Sequence, residues 1–543
     1  MSNIDPVFAA VTAPGSPFEI GERDRVRRFV NAPPDLNMLI DAAKRHGDKI
    51  FIVEGERRLS FDDVFRLRDA LVPMLGIARG DRVAICMRNR SEWMIAFLAV
   101  VRAGGIAALL NSRGSPAELA AMVDEVTPAL VIADAQRATI LREGGYAGRI
   151  VIESEFPDRA ADIPALDPSS GDSPVTILFT SGTTGRIKGA VLTHTNLITG
   201  LLAMQLAGLM VLHNTARAHN IPVETILANL PQAAVLQVYP LFHISGLGSA
   251  FLSPLFAGTK IVIMPRWDPD DALRLIAAEN ITQFTAVPTM LWDVLNRSKL
   301  ADADLSSLTN IGTGGQALPV NLLDEIRAAC PRAVMGTGYG MTETAGSVAM
   351  AVGEDFIRNR ASAGRVLNLV DMRIEDSDGA VLGSNQPGEI VVRGAMVMQG
   401  YWNRPEETAA VLSDDGWLRT GDIGYVDDEG YVFIVDRKKD MVISGGENIY
   451  CAEVERVMGE LPGISECACF GIADDRLGEL LVAIVVGDGL TEGEIIDAVG
   501  EKLARYKAPG RIAFSPEPLP RNAVGKVDKV RLRALWSGLS GEQ

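Results

Sequence analysis

Two textures of apolar and polar positions follow one another along this chain. Through the first 370 or so residues, short apolar runs alternate with segments of helical period. Residues 82–87 read as a buried strand, with a helix starting at Ser91. Ser115 and Glu118 form a capping box with Pro116 at the first helical position, and Pro128 closes that helix. Residues 130–132 are the next strand. The pattern recurs at 260–264, where Asp268-Pro269 opens the following helix. This order predicts parallel sheets covered by helices. From about Met372 the texture changes to short strands with tight turns at 376–379 and 427–430, a small β-rich subdomain over about 365–436. A charged stretch, Arg437-Lys438-Lys439-Asp440, interrupts it. Beyond lie a helix (453–461), two strands (465–472 and 481–486) and a helix opened by a Thr491–Glu494 capping box. The expected fold is therefore α/β. A large N-terminal domain of helix-covered parallel sheets, residues 1–436, precedes a small α+β C-terminal domain, residues 437–543.

A chain of 543 residues exceeds one hydrophobic core, in keeping with that division. The first residues show neither a basic nor an apolar leader pattern. The apolar stretch 96–110 is broken by Arg102 and two glycines and is too short to span a bilayer. The five cysteines form no disulfide framework. Cys467 and Cys469 read as small residues on one face of a strand, Cys451 as structural, and the five histidines show no metal spacing. A reducing cytoplasm is the expected compartment. The net charge of −17 argues against a nucleic-acid partner.

Four clusters carry candidate chemistry. The strand 175–179 runs into Thr180-Ser181-Gly182-Thr183-Thr184-Gly185-Arg186-Ile187-Lys188-Gly189, whose glycines, hydroxyls and lysine suit a loop that wraps phosphates. The alternative is a surface turn of small residues; the spacing excludes a Walker A loop. The second cluster is 336–344, Gly-Thr-Gly-Tyr-Gly-Met-Thr-Glu-Thr, which alone could be a glycine-rich strand exit. The third is Thr420-Gly421-Asp422 with Asp436 to Asp440 and Ser444-Gly445-Gly446-Glu447-Asn448. The fourth is 519–526, Leu-Pro-Arg-Asn-Ala-Val-Gly-Lys.

In this order and spacing the clusters resemble the adenylate-forming superfamily: acyl-CoA synthetases, aryl-CoA ligases, peptide-synthetase adenylation domains and beetle luciferases. The resemblance covers about residues 30 to 535. It implies that Thr180, Ser181, Gly182, Thr183, Thr184 and Lys188 hold the β- and γ-phosphates of ATP. Tyr339 would stack on adenine, flanked by Gly338, with Gly314, Gly315 and Gln316 bordering the adenine and acyl pocket. Thr342 would bond the α-phosphate, Glu343 ligate Mg²⁺, and Asp422 and Arg437 meet the ribose. Lys526 would bridge the substrate carboxylate and α-phosphate, Lys439 would be the hinge, and Ser444, Gly445 and Gly446 would border the coenzyme A tunnel. His243, Gly338 and Met341 would line the acyl pocket, although a structural histidine remains an alternative. Ile187 departs from the proline usual before the lysine, which bears on loop rigidity rather than chemistry.

The implied activity is that of an ATP-dependent acid:CoA ligase forming an acyl-adenylate and then a thioester, with ATP, Mg²⁺ and coenzyme A. The alternatives are a carrier-loading adenylation enzyme and a non-catalytic adenylate-binding protein. The short tail after Lys526 weighs against the expectation of a fused carrier, and 242–246 carries no acid for a substrate ammonium. Segments 230–249, 287–292, 312–318 and 336–341 are apolar or small, which favours an apolar fatty, aryl or alicyclic acid. Residues 213–235 are a candidate insertion over the acyl entrance. A homodimer is left open.

Overall fold

The computed structural model describes residues 6–159, 163, 166–180, 187–295, 300, 303–314, 320–438, 440–444, 447–474, 476–522 and 526–539, and every count refers to these. One sheet has seven strands, in the order Gly400–Tyr401, Lys188–Thr193, Pro174–Thr180, Ile106–Leu109, Arg82–Cys86, Leu130–Ala133 and Ile150–Ile152. From Pro174–Thr180 onward its neighbours are parallel, as the alternating pattern predicts. A second hydrogen-bonded path runs through thirteen strands. Its parallel portion is Val334–Met341, Asn310–Gly314, Gln283–Ala286, Ala234–Gln237, Lys260–Ile263 and Ile50–Glu54. The antiparallel strands between Gly346 and Arg437 continue this path rather than stand apart from it.

Helix Ser91–Arg102 explains how the large core closes. Ser91 and every residue from Trp93 to Val101 is buried, the signature of a helix covered on all sides. Trp93 and Phe97 stack with rings 5.9 Å apart, and Phe251 meets both edge-on. The predicted caps are present: Ser115 with Glu118, Asp268 accepting from the Asp271 N–H, and Thr491 with Glu494. The turn at 427–430 joins two paired strands. The turn at 376–379 does not. Asp376 accepts from the N–H groups of Asp378 and Ala380, a single bridge joins Glu375 to Val381, and the partner strand begins only at Gly388.

The longest helix, His194–His219, has 26 residues. Its span His194–Arg217 is long and apolar enough to cross a membrane by length and composition, with half of the most apolar window buried within the protein. In the sequence Thr195, Asn196, Thr199 and Gln205 interrupt the apolar run of this helix while leaving one face apolar. Leu197, Ile198, Leu201 and Leu202 pack into the main core. Gly200 lets the helix approach the site closely: a Cβ there would meet the Ala345 carbonyl oxygen at 2.6 Å.

The C-terminal sheet has five strands: Glu447–Ile449, Val442–Ser444, Gly478–Gly487 and Ile464–Asp474, with Arg511–Phe514 parallel to the third. Cys467 and Cys469 point toward helix Cys451–Gly459, Cys467 Sγ reaching the Glu455 carbonyl and Cys469 Sγ the Met458 sulfur. Burial pushes both thiols up, which makes them inert packing groups. Asp436, at the end of strand Tyr431–Arg437, accepts at Oδ2 from the Ala452 N–H, 3.2 Å away on the first turn of that helix.

Candidate active site

The strand Val334–Met341 runs antiparallel to Gly346–Val352 with a register shift at Tyr339/Gly340. Only glycine suits position 340, because a Cβ would lie 2.0 Å from the Gly346 carbonyl oxygen. This close approach turns the chain into a short 3₁₀ helix, Thr342–Thr344, that places Thr342 and Glu343 in the cleft. Ala345 closes it at φ 50°, a left-handed conformation that a non-glycine residue holds only when its surroundings enforce it. The Thr344 hydroxyl contributes by accepting from the Met341 N–H at 3.1 Å and donating to the Gly346 carbonyl at 2.7 Å.

Around this turn the structure gathers residues from distant segments. The Tyr339 hydroxyl donates to Asp422 Oδ2 at 2.7 Å, and Arg437 Nε meets Asp422 Oδ1 at 2.6 Å. Asp422 and Arg437 are direct partners across strands Leu418–Val426 and Tyr431–Arg437. Burial and the Asp422 charge push the Tyr339 phenol well up, so it is a neutral donor. Glu343 is 6% exposed. Burial raises its carboxyl above the ordinary value, with its hydrogen bonds and Arg437 opposing the rise.

Gly338 and Gly314 face each other in register on adjacent strands and line the same cleft, as do Met341, Thr180 and Lys188. The Thr180 and Thr313 hydroxyl oxygens are buried there with no partner among the described residues. A nucleotide's oxygens and nitrogens fit such groups, since an unpaired buried hydroxyl is costly. No group of three or more metal-ligating side chains occurs among the described residues. The donor set fits Mg²⁺ shared between one carboxylate and phosphate oxygens, the usual coordination of that ion.

His243 lies on the cleft wall beside the turn leading to the π-helix Ser245–Leu252. Burial and the positive charge of Lys526 lower its pKa to about 4, leaving a neutral imidazole at pH 7. Lys526 lines the same cleft from the C-terminal segment, its backbone N–H donating to Asn522 Oδ1 at 3.1 Å. Ser444 is paired with Glu447 and Gly478 in the small sheet and is not among the residues lining the cleft. Ser181, Gly182, Thr183, Thr184, Gly315, Gln316, Lys439, Gly445 and Gly446 lie outside the described residues.

Two residues escaped the sequence reading. Tyr401, on the edge strand paired with Lys188–Thr193, donates to Glu343 Oε1 at 2.9 Å, and its ring lies 5.0 Å from Lys188 Nζ. Glu407, from the next short helix, forms an ion pair with Lys188 at 2.8 Å. Neither belongs to a glycine-rich cluster. The nearest signal was the Gly-Tyr dipeptide ahead of Pro405.

One cleft joins Lys188, the buried Glu343 carboxylate, the Tyr339–Asp422 pair and Lys526, the arrangement of an adenylate-forming enzyme. Residues 39–402 match the model of the AMP-binding enzyme family, and 453–526 match the AMP-binding enzyme C-terminal domain. The chain belongs to the AMP-binding enzyme family. It is 35% identical over 476 residues to the long-chain-fatty-acid–CoA ligase FadD13 of Mycobacterium tuberculosis, covering 85% of this chain and 90% of that one. It is likewise 35% identical over 502 residues to the indoleacetate–CoA ligase of Aromatoleum aromaticum, covering 88% and 94%. Among solved structures it is similar to o-succinylbenzoate CoA synthetase from Bacillus subtilis in complex with its acyl-adenylate intermediate. That likeness has TM-score 0.78 and 30% identity, over 92% of this chain and 98% of the other. The chain is an ATP-dependent acyl-CoA synthetase, an AMP-forming acid:CoA ligase that uses ATP, Mg²⁺ and coenzyme A.

Proposed function

We propose that the acid is apolar and elongated, and that it is activated as an acyl-adenylate before transfer to coenzyme A. The observation that carries this is one face of helix His194–His219. Met204, Ala207, Gly208, Val211, Leu212 and Thr215 line the cleft from it at helical spacing, and none is ionisable. The eleven steps from Met204 to Thr215, at about 1.5 Å rise each, make a wall of about 16 Å, the reach of a long acyl chain. Gly208 supports the reading: glycine inside a helix costs about 1 kcal/mol relative to alanine, and a Cβ there would meet nothing within 4 Å. Leu230 and Pro231, from the 213–235 segment, line the same space. FadD13 is named for long-chain fatty acids, which agrees.

The site roles follow from the same reading. Thr180, Ser181, Gly182, Thr183, Thr184 and Lys188 hold the phosphates, and Tyr339 flanks adenine with Gly338, Gly314, Gly315 and Gln316. Asp422 and Arg437 bind ribose, Thr342 bonds the α-phosphate and Glu343 holds Mg²⁺, which when bound neutralises phosphate charge. His243 and Met341 border the acid. A carboxylate attacking a polyanion needs positioning and charge neutralisation above all. Lys526 supplies the positive charge between the carboxylate and the α-phosphate, and neutral His243 adds no competing charge to the apolar wall. Ser444, Gly445 and Gly446 border coenzyme A after the C-terminal domain, residues 437–543, turns about Lys439. The position of Ser444 away from the cleft supports a second arrangement for the second step. Five free thiols suit a reducing, cytoplasmic setting.

A series of saturated acids from four to eighteen carbons, with phenylacetate and cinnamate, tests the proposal through AMP release with ATP and coenzyme A. We expect kcat/KM to rise with chain length to about twelve carbons or more. A maximum at a short or charged acid would overturn it.

A further inference from the structure

Lys188 is buried and held between two groups. Its ammonium lies 2.8 Å from Glu407 Oε2 and 5.0 Å from the Tyr401 ring centre. The contact with Glu407 is an ion pair without hydrogen-bond alignment, a geometry easier to displace than an aligned charge-assisted bond. On its other side Glu407 meets Arg404 at 3.4 Å, and Arg404 is gripped by both oxygens of Glu125 at 2.9 and 2.6 Å. Carboxylates and cations thus alternate from Lys188 outward to Glu125.

We propose that Glu407 is a positioning residue that competes with the phosphates for Lys188. The inference rests on the reading of Lys188 as a phosphate ligand. Glu407 offers the lysine a single carboxylate charge at the place where a triphosphate offers several. ATP with its metal outbids it, whereas pyrophosphate, once formed, must hold Lys188 against a carboxylate ready to take it back. Glu407 is not orphaned when Lys188 leaves, because Arg404 still faces it. An unpaired, largely buried charge would otherwise make the exchange prohibitive. The Tyr401 ring keeps the ammonium near its station in either state through its π face. The device weakens ATP binding somewhat and speeds release of pyrophosphate, the product whose retention favours the reverse reaction.

The test compares wild type, Glu407→Gln, Glu407→Asp, Lys188→Met and the double variant Glu407→Gln/Lys188→Met, all full-length. ATP affinity is measured by titration calorimetry without acid, and pyrophosphate inhibition through AMP release. Glu407→Gln should bind ATP about fivefold tighter and be inhibited by about fivefold less pyrophosphate, the scale of one partly buried ion pair. Glu407→Asp keeps the charge but withdraws it, and should shift both constants the same way by less, which covers the case of a poorly folding glutamine variant. The shifts should vanish in the Lys188→Met background. Unchanged or weaker ATP and pyrophosphate binding in both Glu407 variants would overturn the proposal, as would a full shift in the double variant. If Lys188→Met alone binds ATP as wild type does, the phosphate role of Lys188 is what fails.

Discussion

The Tyr401 hydroxyl donates to Glu343 Oε1 at 2.9 Å, joining the edge strand beside Lys188–Thr193 to the carboxylate proposed to hold magnesium. The bond favours the ionised form that burial disfavours. Tyr401→Phe should therefore raise the Glu343 pKa further. A group needed ionised acts above its pKa and fails as pH falls through it, so the acid limb of adenylation should move to higher pH. Losing a hydrogen bond to a charged group should lower the rate about tenfold at limiting Mg²⁺. ATP–pyrophosphate exchange against pH and Mg²⁺ checks this; an unmoved limb would separate Tyr401 from the metal site.

Lys526 is expected to serve one half-reaction only. Lys526→Ala should lose adenylation by at least about 10²-fold, the effect of removing one preorganised charge. Supplied with preformed acyl-adenylate, the same variant should make acyl-CoA at a near-normal rate. Equal loss of both steps in a folded protein would argue for one static site.

Asp436 connects the strand leading out of the site to the helix that opens the C-terminal domain. Burial raises its carboxyl from 3.8 to about 6, against the opposing charge of Lys529. An acid whose folded pKa is raised favours the folded state at low pH, and that contribution is lost as pH rises from about 4 through 6. The displacement corresponds to at most about 3 kcal/mol. Asp436→Asn keeps an acceptor for the Ala452 N–H without the charge. Chemical denaturation should show it gaining stability over wild type at pH 7 but not at pH 4. The same difference at both pH values would mean that Asp436 does not titrate in this window.

Gly208 gives the acyl reading a steric test. Gly208→Phe should leave melting temperature within a few degrees, since the added ring points into open space and helix propensity improves. The preferred acid should shorten by several carbons, with kcat/KM for the longest acids down about tenfold or more. An unchanged chain-length profile would place the acyl group elsewhere.

Local chemistry was legible in the sequence to the extent that it is written locally. Caps at Ser115, Asp268 and Thr491 need only side chains three residues apart, and the strands at Arg82–Cys86 and Lys260–Ile263 need only an unbroken apolar run. The pairing of Tyr339 with Asp422 spans 83 positions, and no period or composition encodes it. Tyr401 and Glu407 act only because strand Gly400–Tyr401 adds to the edge of Lys188–Thr193. Each is an ordinary residue until tertiary pairing gives it a neighbour.

Helix His194–His219 carries two separate sets of constraints along one rod. Its first turns, with Leu197, Ile198, Leu201 and Leu202, are committed to the core, while Met204, Ala207, Gly208, Val211, Leu212 and Thr215 line the cleft proposed to take the acid. Drift at the far positions can change the diet of the enzyme without touching the parts that keep it folded or the strands that handle the nucleotide. New acids can then be acquired by ordinary point mutation, one methyl group at a time, while the energy-transducing chemistry stays inherited and intact.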